Sequence, residues 1–116
     1  TLTAAGKKVV IILDPPMDAQ SAPEARIERV GLGWRATPHH DIDLPTFRER
    51  TAAINAKLKA VARTSGATVI DPTDYFCVAG KCPTIDAGGA PIYKNRTHLR
   101  AQFTREHATF LDDLAR

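Results

Sequence analysis

The 116-residue sequence contains no apolar run of the roughly 18 residues that a membrane-crossing helix requires. The stretch from Thr1 to Leu13 has no small-residue cleavage pattern of a secretory signal, so any export signal is expected upstream in a longer parent protein. There is no internal repeat and no low-complexity tract, which excludes repeat and linker architectures. Nor is there a charge cluster. The 16 basic and 13 acidic residues leave a net charge of +3, and they are scattered, which gives no argument for a nucleic-acid partner. Cysteine is scarce, with only Cys77 and Cys82. From spacing alone the two thiols are compatible with a disulfide, with two unrelated cysteines or with half of a metal site, and zinc would need two further ligands.

With 43% hydrophobic residues, the remaining chain suits one compact domain spanning 1–116. Val9-Val10-Ile11-Ile12-Leu13, stopped by Asp14-Pro15-Pro16, reads as a buried parallel strand. Residues 17–45 are broken by Pro23, Pro38 and Pro45, with Gly31 and Gly33 around Trp34, and read as a long connection with a short helix near 23–29. Phe47, Ile54, Leu58 and Val61 recur at helical spacing over 46–65, before Gly66. Ala67-Thr68-Val69-Ile70, ended by Asp71-Pro72, is a second strand, and strand, helix, strand implies a parallel crossover. Residues 82–93, with Asp86-Ala87-Gly88-Gly89 at their centre, read as a small hairpin. Phe103, His107, Phe110, Leu111 and Leu114 mark a closing amphipathic helix from about 100 to the end, on which His107 is expected to be partly buried. Trp34, Tyr75 and Phe76 are expected to pack. The fold class is α/β, a partial doubly wound (flavodoxin-like) sheet with parallel strands, a small hairpin and a C-terminal helix. Two strands are few for such a sheet, so a sheet edge is expected to stay open, where two copies of the chain could pair as a homo-oligomer.

In open α/β sheets the chemistry gathers beyond the carboxyl ends of the strands. Asp14-Pro15-Pro16 and Asp71-Pro72-Thr73-Asp74 lie there, and so does Tyr93-Lys94-Asn95-Arg96-Thr97-His98-Leu99, which leads into the last helix. His39-His40-Asp41-Ile42-Asp43 has residue types that bind metals, but adjacent histidines in a proline-flanked loop are more often solvated, and no metal or other cofactor is expected. Asn95-Arg96-Thr97 is a glycosylation sequon by pattern and is read as coincidental.

The order Asp71-Pro72, a short loop holding Cys77 and Cys82, a Gly-containing hairpin, Pro91-Ile92-Tyr93 and then His98-Leu99 before a terminal helix resembles the extracytoplasmic SGNH (GDSL-like hydrolase) domains of bacterial membrane O-acyltransferases. The resemblance runs over residues 8–112 and is most specific over 69–99. It implies that His98 is the catalytic histidine, acting on a serine from an N-terminal Gly-Asp-Ser block, and that Cys77 and Cys82 form a disulfide in an oxidising compartment. It further implies a parent membrane domain, an acyl donor and a glycan acceptor such as lipopolysaccharide or O-antigen, and a location at the periplasmic or extracytoplasmic face of the inner membrane. Two departures stand out. These 116 residues contain no Gly-Asp-Ser, and Asn95 occupies the place of the family aspartate that orients the histidine. The chain is therefore expected to be the C-terminal part of a larger SGNH domain and inactive alone, because a hydroxyl nucleophile needs its base and the base needs an orienting partner. The alternative is a non-catalytic module that binds a glycan or another partner.

Overall fold

A computed structural model describes residues 1–19 and 21–114. The architecture is mixed α/β, as expected: a small parallel sheet, hairpins and helices, consistent with part of an SGNH fold. Strand β1 (Val10–Ile12) pairs in parallel with β5 (Thr68–Ile70), with Ile11 opposite Val69. The backbone ladder extends beyond both strands, because Thr68 N–H donates to the Val9 carbonyl at 3.0 Å and Leu13 N–H to the Ile70 carbonyl at 2.9 Å. The first strand is less buried than its β-branched run suggested: Ile12 is exposed and only Leu13 at its end is fully enclosed. No third strand joins this pair among the described residues, so each strand keeps one unpaired edge.

Helix α1 (Leu44–Ser65) joins the two sides of the parallel pair. Asp43 caps its N-terminus, accepting from Thr46 N–H at 3.1 Å and from Thr46 Oγ1 at 2.7 Å, and Pro45 occupies a first-turn position where its missing N–H costs nothing. Gly66 ends the helix at φ 72°, a left-handed conformation that costs a residue with a Cβ substantially more. Of the apolar stripe read from the sequence, Phe47 is buried and Leu58 half-buried, whereas Ile54 and Val61 are 53% and 55% exposed. The helix is covered at its first turn and again at Ala62 near its end, while Ile54 and Val61 face outward.

The connection over residues 17–45 is not the irregular loop that its prolines suggested. The short helix expected near 23–29 shrinks to a 3-10 turn (Pro23–Arg26), and the chain then forms an antiparallel hairpin of β2 (Ile27–Val30) and β3 (Gly33–Ala36). Alternating Ile27, Arg29 and Trp34 carry the strand pattern that the glycines masked. Gly31, at φ 58°, occupies the first central position of the two-residue turn, where a positive φ is required. Trp34, expected to pack, is exposed. After the hairpin, β4 (Ile42–Asp43) pairs antiparallel with β6 (Lys81–Cys82), a long-range pairing that no local pattern announces.

The core lies away from the parallel pair. Ile42, Leu44, Phe47, Cys82, Ile92, Tyr93 and Phe103 form one buried cluster, with Met17, Phe76, Cys77 and Leu99 packed against it. Cys77 and Cys82 are joined as a disulfide across 4.1 Å between Cα atoms, and helix α2 (Thr73–Phe76) leads into it. Between the cysteines, Val78 and Lys81 exchange backbone hydrogen bonds of 2.8 and 3.0 Å around Ala79 and Gly80, both at positive φ (50° and 76°). The hairpin expected over 82–93 is present in outline. Ile85 bridges Pro91, and Asp86 Oδ1 accepts from the N–H groups of Gly88 and Ala90, both at 2.9 Å. Arg100 ties this turn to the last helix, donating to Asp86 Oδ2 at 2.9 Å and to the Pro91 carbonyl at 2.6 Å. That helix, α3 (Ala101–His107), is shorter than expected, because the backbone leaves helical geometry at Ala108 and continues as a 3-10 turn (Thr109–Leu114); residues 115–116 of the expected helix lie outside the described residues. His107 is exposed rather than partly buried, lying against the Phe103 ring with centroids 4.7 Å apart.

Two predictions follow from these local geometries. Ala79 is a non-glycine residue in a left-handed turn position, so Ala79→Asn is expected to stabilise the folded chain by about 0.5–1 kcal/mol, read as a higher urea midpoint under non-reducing conditions. Asp43 is held at about 2 by hydrogen bonds from Thr46 and Lys81, with Lys81 Nζ 3.0 Å away. Because its folded value is depressed, its contribution to stability is complete above the ordinary carboxylate value near 4 and is lost as pH falls towards about 2. Helicity followed by circular dichroism should fall through that window in the wild type, with a smaller acid-induced change in Asp43→Ala.

Candidate functional site

The segment singled out by the sequence is a closed loop held at both ends. Tyr93 and Leu99 form an antiparallel bridge, Lys94 N–H donates to the His98 carbonyl at 2.8 Å, and Arg100 N–H to the Ile92 carbonyl at 2.8 Å. Tyr93 is only 2% exposed, and its phenol donates to the carbonyl of Pro16, itself fully buried. Burial, and then the negative charge of Asp18, pushes the Tyr93 phenol well above the ordinary tyrosine range, so it stays protonated and remains a donor. This one bond fastens the histidine loop to the chain just beyond the carboxyl end of β1. Of the other segment placed beyond a strand end, Asp71 is held at the entry to α2, accepting from Thr73 N–H at 3.0 Å and from its hydroxyl at 2.7 Å.

Within the loop, the Asn95 side-chain oxygen is the organising atom. It accepts from the backbone N–H groups of Thr97 and His98, both at 3.0 Å, and lies 2.9 Å from His98 Nδ1. The two backbone donors decide the orientation of the amide, since its NH2 group cannot accept from them. An oxygen facing Nδ1 requires that nitrogen to carry the proton. Thr97 Oγ1, 3.0 Å from Nδ1, sits where it can share the same donor. The neutral imidazole is thereby held in the Nδ1–H tautomer with the Nε2 lone pair bare. Nε2 has no hydrogen-bond partner among the described residues, and the ring is exposed, so this nitrogen is open to an incoming donor.

Next to His98 lies an open cleft of about 440 Å³ lined by Met17, Asp18 and Ala19 from the chain beyond β1, Arg50 of α1, and Arg96 and Thr97 of the histidine loop. Its wall is braced. Arg50 donates to the Met17 carbonyl, and Asp18 accepts from buried Ser21 at 3.2 Å and pairs with His40 at 3.1 Å. The sequence signalled none of these pairings. His40, read as a solvated loop residue, instead holds the strand-end loop in place, and Asp43 of the same run is the α1 cap. Among the described residues no group of three or more His, Cys, Asp or Glu side chains is disposed to hold a metal. Likewise, no described helix is long and apolar enough to cross a membrane.

The Asn95 geometry has a direct readout. In the 15N-labelled chain above the titration range of an ordinary histidine, His98 should show the nitrogen shifts of the Nδ1–H tautomer, and Asn95→Ala should return it to the mixed tautomer population of a free imidazole.

No curated protein and no solved structure matches the chain. A family model does, over residues 1–111, and its description is an SGNH domain fused to AT3 domains. The chain belongs to the SGNH domains fused to AT3 acyltransferase domains.

Proposed function

We propose that this chain is the histidine-bearing, C-terminal part of an SGNH domain that transfers an acyl group, acetyl in the simplest case, to a hydroxyl of an extracytoplasmic glycan such as lipopolysaccharide or O-antigen. The observation that carries the reading is the 2.9 Å contact between Asn95 Oδ1 and His98 Nδ1, which leaves Nε2 as the free base. The serine comes from a preceding stretch of the parent protein, since these residues contain no Gly-Asp-Ser. In the first half-reaction the serine hydroxyl gives its proton to His98 Nε2 and its oxygen bonds to the carbonyl carbon of the acyl donor. The donor's leaving group then departs with that proton. In the second, Nε2 takes the proton of the sugar hydroxyl, the sugar oxygen bonds to the acyl carbon, and the serine leaves, recovering its proton from His98. Backbone amides of the serine-bearing stretch stabilise the oxyanion.

Asn95 makes this base weaker without misdirecting it. In serine proteases, exchanging the orienting aspartate for asparagine lowers turnover about 10⁴-fold, because the histidine takes the wrong tautomer. Here two backbone N–H groups turn the amide oxygen towards the ring, so orientation survives. What is missing is a negative charge to balance the imidazolium in the transition state. A charge-assisted hydrogen bond is about twice as strong as a neutral one, so Asn95→Asp is expected to raise the acylation rate on the order of tenfold. The disulfide and the family's fusion to AT3 domains support an extracytoplasmic site beside a parent membrane domain.

A second reading, a non-catalytic module that binds the glycan or a membrane partner, is favoured by the same Asn95. The parent protein separates the two. Labelling with a fluorophosphonate, which reacts only with activated serines, should be present in the wild type, absent in His98→Ala and faster in Asn95→Asp. A folded parent that takes no label, with Asn95→Asp equally inert, would assign the domain to binding.

A further inference from the structure

The β2/β3 hairpin has no place in the chemistry above, and among the described residues it packs chiefly on itself and on the 3-10 turn that leads into it. Every residue from Arg29 to Ala36 is exposed, in a molecule whose extents of 62 × 30 × 25 Å are elongated for its length. Its apolar side chains are nonetheless large. Leu32 at the tip is wholly exposed, Trp34 is 73% exposed, and Ile27 and Val30 are 54% and 50% exposed. The register puts Trp34 opposite Arg29 and diagonal to Ile27 on one face, and Val30 opposite Gly33 and next to the Glu28–Arg35 pair on the other. Apolar residues therefore crowd the tip. Arg29 shares a rung with Trp34, and Arg35 stands one residue farther back, so both arginines lie behind Leu32 with a further setback of about 3 Å per residue along the strand.

We propose that this hairpin is a membrane-surface contact: Leu32 and Trp34 seat in the interfacial layer of an anionic bilayer while Arg29 and Arg35 meet lipid phosphates. Three observations select a bilayer over a protein partner. A large aliphatic tip, with tryptophan and one arginine on the rung behind it and a second arginine one residue farther back, matches the layering of a bilayer interface, where indoles concentrate and arginines reach towards the headgroups. The charge is complementary, since Arg29 makes no ion pair among the described residues and the chain carries +3. Finally, the family to which the chain belongs is fused to AT3 domains, which places such a surface within reach of a tether. The inference rests on that membership and on exposure, not on the catalytic role of His98. Docked this way, the hairpin would give the domain a second point of attachment, limiting its rotation about the tether and biasing which way the His98 cleft faces.

The test uses the chain itself, because Trp34 is its single tryptophan and so its own reporter. Its emission should shift to the blue on adding vesicles of phosphatidylglycerol and phosphatidylethanolamine, and brominated lipids should quench it. Leu32→Glu, at a site with no packing to lose, should weaken partitioning by about tenfold or more, and Arg29→Glu should remove the preference for anionic lipid. No shift by a chain shown to be folded by circular dichroism and to retain its disulfide would overturn the proposal. Equal partitioning onto phosphatidylcholine would overturn the anionic assignment. A blue shift without lipid that grows with protein concentration would assign the hairpin to a second copy, and one produced by the detergent-solubilised parent membrane domain alone would assign it to a protein partner. Either would replace the bilayer.

Discussion

The hydrogen bond from the Tyr93 phenol to the Pro16 carbonyl is the constraint on which the site depends. It joins residues 77 positions apart, both buried, and it satisfies a carbonyl that proline leaves at the end of a strand run. Around it the side chains of Ile42, Phe47, Cys82, Ile92 and Phe103 exclude water, so the bond is made in surroundings where an unpaired carbonyl would be costly. The same tyrosine starts the loop that ends in His98. Moving the phenol would move the histidine relative to the strand end, and any reacting group beyond β1 with it.

The packing is uneven along the molecule. The disulfide, the Asp86–Arg100 pair, the β4/β6 pairing and the main core all brace the end that carries Asn95 and His98. Elsewhere Ile12, Ile54 and Val61 stay exposed, and among the described residues the parallel pair keeps two strand edges unpaired. Under the proposed reading, that bracing is what would hold a base in place, as electrostatic catalysis demands.

Asn95 shows how a neutral residue can retain half of a carboxylate's task. Orientation depends on where an acceptor atom points, and two backbone N–H groups settle that for an amide as well as for an acid. Charge compensation depends on the net negative charge that a neutral amide lacks. Separating these two contributions is what makes an asparagine at this position compatible with a weakened site as well as with a binding module.

Much of this was legible in the residues. The β-branched runs before Asp14-Pro15 and Asp71-Pro72, the helix between Pro45 and Gly66, and the Asn95–His98 spacing are local patterns, and local patterns survive translation into structure because capping, proline geometry and the reach of a short side chain act within a few residues. The failures were equally physical. Gly31 and Gly33 disguised the β2/β3 hairpin as loop, because a turn glycine and a loop glycine look alike. The stripe on α1 did not reveal that Ile54 and Val61 would lack a partner, and His107 lies against Phe103 at the surface rather than inside. By itself, then, the sequence determined the two β-branched strands, the helix between them and the spacing of Asn95 from His98. Only tertiary structure decided the pairing of Ile42 with Cys82, the brace between Asp18 and His40, and the bond from Tyr93 to Pro16, because contacts between distant segments depend on which surfaces remain to be buried once every local preference has been met.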